Sequence, residues 1–136
     1  MKRRKAREYA LQLLFQADFL GKEISRKDLE EFWANKNEDD EVKKFTEELV
    51  QGTLREREDI DRMLEKVAEN WVVKRMAAVD RNILRFAAYE IIYRQDIPSA
   101  VTINEAIEIA KKFSSAESAP FLNGILDRLA REVGKA

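Results

Sequence analysis

The sequence contains neither cysteine nor histidine among its 136 residues. Without them the chain has no disulfide, no thiolate nucleophile, no histidine base and none of the usual zinc ligands. Its four glycines and two prolines are too few for the tight turns of an all-β fold. No apolar run approaches the roughly 20 residues that span a bilayer, and no signal peptide is evident. These absences predict a cytoplasmic protein with no membrane partner.

Enzyme signatures are missing too. The chain has no phosphate-cradling glycine-rich loop, no nucleophile elbow and no metal motif. The acidic run 38–41 lacks the glycine and the alternating ligands of a calcium loop, so it is typical of a helix start with a solvated face. We therefore expect a protein that is not an enzyme and that uses no cofactor and no metal.

What is present favours helices. Hydrophobic residues make up 45% of the chain and charged residues 38%, enough for one core under a charged surface. Apolar residues recur at helical spacing, which predicts an all-α fold of six or seven helices. The segment 77–93 is apolar nearly all round and predicts a central buried helix. We expect a single domain 1–136, with helical halves of about 1–72 and 73–136.

Local signals predict where several helices begin and end. Ser25 is a candidate N-cap, and Thr102 with Glu105 has the spacing of a capping box. Pro120 fits only the first turn of the last helix. The apolar pattern that runs through Val67 predicts that the preceding helix continues to Trp71.

A basic cluster opens the chain and is the first functional candidate. On a helix, three of its guanidiniums project near one end, and the planar arginine fork suits phosphate. A bound phosphate releases counterions, which favours RNA as the ligand. A solvated tail and a helix on an anionic membrane are the alternatives. The cluster consists of Lys2, Arg3, Arg4, Lys5 and Arg7.

Aromatic residues supply two further candidates. Phe15 and Phe19, together with Leu11, lie roughly opposite the apolar face of the first helix, so they either form a partner surface or are covered by another helix. Phe121 follows Lys111 and Lys112 and could stack an unpaired base while the lysines hold the backbone. A core position is the alternative for Phe121.

At several places the residues resemble the NusB family of bacterial transcription antitermination factors. The matching segments are spread over almost the whole chain, although the region of about 22–48 matches poorly. They are the opening Arg3–Gln12, Val79–Arg85, Ala88–Glu90, Ile97-Pro98, Thr102–Lys111 and Phe121–Asp127.

The resemblance implies two small helical bundles packed together. It also implies binding to single-stranded boxA RNA of ribosomal RNA leader transcripts, and a heterodimer with the ribosomal protein NusE. Together with other factors on RNA polymerase, these partners would form the antitermination complex that reads through terminators.

Site residues are implied by position. Arg3, Arg4, Lys5 and Arg7 correspond to the family's RNA-binding segment, Phe121 to an aromatic that contacts RNA, and Glu117 to a nearby polar position. Lys2 is predicted to bind RNA as a member of the basic cluster. Phe15 and Asp80 match the partner-protein surface. Two departures weaken the match: Pro120 stands where a lysine is frequent, and Phe15 stands where a tyrosine is common.

Two other functions stay open from the sequence. A protein-binding adaptor with an idle basic tail would show no RNA binding at moderate salt. The RNA-guiding part of a ribosomal RNA methyltransferase would need a longer gene product, since no nucleotide fold follows. The sequence also leaves open whether the free protein is a monomer or a homodimer.

Overall fold

The computed structural model describes residues 2–69 and 71–135, and within them the chain is all-α, as predicted. Seven α-helices and one short 3-10 turn follow each other without a strand in this part of the chain. They are α1 (Lys2–Leu20), α2 (Arg26–Trp33), α3 (Asp40–Arg55), α4 (Arg57–Ala68), the 3-10 turn (Val73–Arg75), α5 (Ala78–Tyr93), α6 (Ser99–Phe113) and α7 (Ser118–Glu132).

Helix α5 forms the centre of the fold. It packs against α1, α3, α4, α6 and α7. Its apolar residues Ile83, Phe86 and Ile91 are completely buried, as the all-round apolar pattern predicts. One continuous apolar core collects residues from all seven helices. The division into halves near residue 72 stays a prediction.

The predictions for Ser25 and Pro120 at helix starts are confirmed. Ser25 caps α2 through a reciprocal pair, in which its Oγ accepts from the Asp28 N–H at 3.1 Å and Asp28 accepts from the Ser25 N–H at 2.8 Å. Pro120 lies in the first turn of α7, where it removes no helical hydrogen bond.

Two local predictions are wrong. Helix α6 begins at Ser99, directly after Pro98, so Thr102 and Glu105 lie inside the helix and not at its cap. Pro98 has φ −60°, a value preset for helix entry, so the helix starts one turn early. Helix α4 ends at Ala68, because Glu69 takes a positive φ of 53° that interrupts the helix before Trp71.

None of the helices within residues 2–69 and 71–135 is both long and apolar enough to cross a membrane.

Candidate nucleic-acid interface

Arg7 is the most deeply buried member of the basic cluster. Its side chain is 2% exposed and donates two hydrogen bonds to Glu90 of α5, at 2.7 and 2.8 Å. The Thr102 hydroxyl donates to the same carboxylate at 2.7 Å. This burial argues against the predicted RNA contact of Arg7, because its guanidinium is already paired inside the protein.

Arg4 is also tied to the body of the protein. It donates to both oxygens of Glu105 on α6, at 2.8 and 2.7 Å, and its side chain is partly covered. These bonds lower the pKa of the Glu105 carboxyl, although burial opposes them. Arg4 and Arg7 thus fasten the first turns of α1 to α6 and α5, which makes this end of the helix a fixed structure.

Lys2 and Lys5 remain exposed but have acidic neighbours. The ammonium of Lys2 lies 3.1 Å from Asp39 and 3.3 Å from Glu41, and Lys5 lies 2.7 Å from Glu38. Hydrogen bonding to Asp39 raises the pKa of Lys2. The Lys2 pairs lie at the surface, where such pairs are weak and exchange readily, so phosphate can compete for Lys2. The Glu38 carboxylate is only 7% exposed and also accepts from the Tyr9 hydroxyl, so Lys5 is held more firmly.

Arg3 is exposed and has a different environment. Its guanidinium lies over the Phe45 ring, 4.4 Å from the ring centroid. Within the described part of the chain, no carboxylate lies within ion-pair distance of it. A guanidinium that rests on an aromatic face keeps its outward N–H groups available to an anion.

The second group of candidates lies where α6 ends and α7 begins. Lys111 is exposed and pairs with Glu108 at 3.2 Å, and Glu117 is exposed immediately before α7. Phe121 is half-buried against the core, and its outer side meets Trp71, with ring centroids 4.9 Å apart. Phe121 is therefore partly a core residue, and its stacking on an RNA base stays a prediction.

Helix α6 connects these two groups. Arg4 bonds Glu105 near its middle, and Lys112 bonds Glu8 of α1 at 3.2 Å near its end. Among the described residues no ion pair or cation–π contact joins the basic cluster to Phe121. The two groups are thus linked through one helix, and a ligand that contacts both must extend along it.

The far end of α1 presents an aromatic surface. Phe19 is 81% exposed and Phe15 is 38% exposed, which favours a partner surface over a covered one. Leu11, which the helical spacing groups with them, is buried instead. The exposed surface therefore begins one turn later than the sequence predicts.

Asp80 does not lie open at this surface. It is 8% exposed, and its two oxygens accept from the hydroxyls of Ser114 at 2.6 Å and Ser118 at 2.9 Å. This burial argues against a contact of Asp80 with the partner protein, which stays a prediction. Asp80 instead holds the turn between α6 and α7, and so positions the start of α7 that carries Phe121.

Trp71 is the residue that the sequence reasoning missed. Its spacing from Val67 placed it on a buried helical stripe, whereas the structure exposes it beside Phe121. A signal was present: the consecutive β-branched residues Val72 and Val73 favour a helix weakly, and the charged Lys74 and Arg75 end the apolar pattern.

The fold and its fixed, charged helix end define an all-α protein built around one central helix. A family model described as "NusB family" matches residues 4–131, and the chain belongs to that family. The transcription antitermination protein NusB of Desulfitobacterium hafniense strain DCB-2 is 52% identical over 136 residues, covering 99% of this chain and 92% of that protein.

Solved structures agree on the fold. The T. maritima NusB crystal form has a TM-score of 0.86 at 39% identity, and the match covers 96% of this chain and 91% of that one. A crystal structure of antitermination factors NusB and NusE in complex with dsRNA has a TM-score of 0.86 at 23% identity, covering 96% and 97%. At that identity the second likeness concerns the fold alone.

Proposed function

We propose that this protein binds single-stranded boxA RNA of ribosomal RNA leader transcripts together with the ribosomal protein NusE, so that RNA polymerase reads through terminators. It acts by binding and not by catalysis, in the cytoplasm where transcripts are made. Support comes from the 52% identical antitermination protein and from the NusB–NusE–dsRNA neighbour of the same fold.

The carrying observation is the fixed, basic first turn of α1. Lys2, Arg3 and Lys5 are exposed there, while Arg4 and Arg7 fasten the helix beneath them. A frayed tail would lose conformational entropy on meeting RNA, whereas cations on an anchored helix are already in place. This arrangement supports phosphate binding over an idle, solvated tail.

The junction of α6 and α7 supplies the remaining RNA contacts in this proposal. Lys111 holds backbone phosphate and Phe121 offers a ring to an unpaired base, with Glu117 close by in the same loop. Proline at 120 leaves one cation fewer here than a lysine would supply. Ring stacking and phosphate contact together suit single strands, whose bases are free to stack.

NusE would bind at the opposite end of α1, on Phe15 and Phe19. At a rise of about 1.5 Å per residue, Arg3 and Phe19 lie about 24 Å apart along the helix axis. One helix can therefore serve both partners without overlap. If the free protein forms a homodimer through the same rings, NusE would compete with the second copy.

The RNA assignment is tested by fluorescence anisotropy with a labelled single-stranded boxA RNA over a series of salt concentrations. The triple variant Lys2→Ala, Arg3→Ala, Lys5→Ala should bind more weakly. Its slope of log affinity against log salt should flatten by about 0.7 per lost phosphate contact, about 2 in all.

The matched control removes three exposed, ion-paired arginines from elsewhere: Arg26→Ala, Arg62→Ala and Arg131→Ala. It changes net charge equally and should leave the salt slope unchanged. Equal behaviour of the two triple variants would refute the site. If the native chain does not bind the RNA, with or without NusE, the protein-binding adaptor is favoured. Its binding surface would include Phe19.

A further inference from the structure

Trp71 forms an exposed aromatic step next to Phe121. The two rings meet edge to face, with centroids 4.9 Å apart and planes inclined by 65°. Trp71 is 51% exposed, whereas Phe121 is half-buried against the core. The indole is thus held against Phe121 while about half of the residue stays open to solvent, which leaves room for a flat ligand.

The backbone around Trp71 is anchored on both sides. Ala68 is buried before it, and Val73 is completely buried after it. The N–H of Val73 donates to the Glu65 carboxylate at 3.0 Å, which ties the 3-10 turn back to α4. A tryptophan on a fixed backbone has only two side-chain torsions to order, so stacking on it costs little conformational entropy.

Two cations follow directly in the 3-10 turn. Lys74 and Arg75 are exposed, and neither forms an ion pair with any residue in the described part of the chain. They differ in this respect from Lys2 and Lys5, which have acidic neighbours. An open ring beside uncompensated cations is complementary to a nucleotide, which has both a flat base and a charged phosphate.

A second aromatic pair shows that an exposed ring alone is not complementary to a nucleotide. Tyr93 stacks on Tyr89 with centroids 5.4 Å apart and is itself exposed. Its neighbours Glu56 and Asp59 are acidic and raise its pKa, although burial is the larger cause. Phosphate would be repelled there, so Tyr93 offers a matched control.

We propose that Trp71 stacks a nucleobase of the bound RNA, with Lys74 and Arg75 on the flanking phosphates. The RNA site then extends from Phe121 across to the segment between α4 and α5. This inference rests on the proposed RNA-binding function and adds three residues and a path for the strand beyond Phe121.

The fluorescence of Trp71 itself reports the contact. Trp33 is the other tryptophan in the chain and is buried, so the variant Trp33→Phe leaves Trp71 as the single tryptophan, which can be excited selectively over the three tyrosines. Titration with an unlabelled single-stranded boxA RNA should quench its emission. In anisotropy, Trp71→Ala should bind about 5- to 100-fold more weakly and Trp71→Phe should keep most of the affinity. Tyr93→Ala should bind as the native chain does.

A series of RNAs, each lacking the base at a different position, locates the stacked nucleotide. At one position, loss of the base should weaken binding by the native chain and have no effect on Trp71→Ala. Circular dichroism and thermal unfolding should match between the variants, since Trp71 lies at the surface.

Normal RNA binding by Trp71→Ala, without quenching in Trp33→Phe, would overturn this inference and leave the proposed function intact. Absence of RNA binding by the native chain would overturn both.

Discussion

Arg7 and Glu90 form a buried, two-pronged ion pair that joins the start of α1 to the middle of α5. The hydrogen bonds measure 2.7 and 2.8 Å, and both side chains are almost completely inaccessible. Thr102 of α6 completes the carboxylate's partners. Arg7, a member of the basic cluster, thus connects three helices. Arg7 and Arg4 have structural roles, whereas Arg3 is left for a ligand.

Replacing Arg7 should therefore destabilise the protein. Arg7→Ala leaves the Glu90 carboxylate buried without its counter-charge, and breaking such a pair costs about 3–5 kcal/mol. Urea unfolding measures the free energy of unfolding. Arg131→Ala, which removes an exposed pair with Asp127, should change it little. If Arg7→Ala were as stable as Arg131→Ala and had lost only RNA affinity, Arg7 would be a ligand after all.

The Arg4–Glu105 pair predicts a loss of stability in acid. Hydrogen bonds from Arg4 lower the pKa of Glu105 below its ordinary value of 4.5. Because the folded state favours the ionised carboxylate, this stabilisation is present above pH 4.5 and is lost as the pH falls through the folded pKa.

Urea unfolding at a series of pH values from neutral to acid tests this, and Glu105→Gln should show a shallower acid loss than the native chain. Glu108→Gln removes an exposed carboxylate one turn along α6 and should follow the native curve. Coincident curves for Glu105→Gln and the native chain would contradict the prediction.

The acidic segment beside Lys2 should weaken RNA binding. Asp39 and Glu41 lie at 3.1 and 3.3 Å from its ammonium and compete with phosphate. Asp39→Asn with Glu41→Gln should raise RNA affinity severalfold at low salt, with the gain shrinking as salt screens the pair. Anisotropy against salt concentration measures it.

The control for this experiment neutralises Asp127 and Glu132, which pair with Arg131 and Lys66 at the end of α7. It changes the net charge by the same amount. An equal gain from the control would assign the effect to overall charge and not to competition at Lys2.

Gly52 should tolerate no side chain. A Cβ at this position of α3 would overlap the ring of Tyr89, which packs directly over the helix backbone. Gly52→Ala should lower the free energy of unfolding by about 1–3 kcal/mol through overpacking. The cost should shrink in a Tyr89→Leu background, which removes the ring.

Gly124→Ala provides the contrast. It also replaces a helical glycine, but the nearest atom to the added carbon is Arg128 Nη1 at 3.7 Å, an ordinary contact. This substitution should stabilise α7 by about 0.5–1 kcal/mol, because alanine favours helix. The same sign for both glycine variants in thermal unfolding would contradict the steric account.

The fold was predictable because its signals are local. Apolar spacing placed the helices, the all-round apolar pattern found α5, and Ser25 and Pro120 marked true helix starts. Thr102 and Glu105 show the limit. Their spacing matches a capping box, but their hydrogen-bond partners Glu90 and Arg4 are distant in the chain. These tertiary bonds occupy the side chains that a cap would use.

The site was less predictable, because its geometry depends on contacts between distant parts of the chain. The sequence shows that Arg3, Arg4 and Arg7 share a helix end, yet burial divides them, since it depends on what α5 and α6 place opposite. Trp71 was misjudged because α4 ends early and leaves it exposed, and the sequence does not show that serines of the α6–α7 turn cover Asp80. Such placements follow from tertiary packing, which helical spacing does not encode.

The bonds of α1 also set an order of events during synthesis. Arg7 must wait for Glu90 and Arg4 for Glu105, so the start of α1 has no final partners until α5 and α6 have emerged from the ribosome. Until then the guanidiniums of both residues face water. A nascent chain therefore carries more unshielded positive charge on α1 than the folded protein does, and that charge is neutralised only when α5 and α6 close over it.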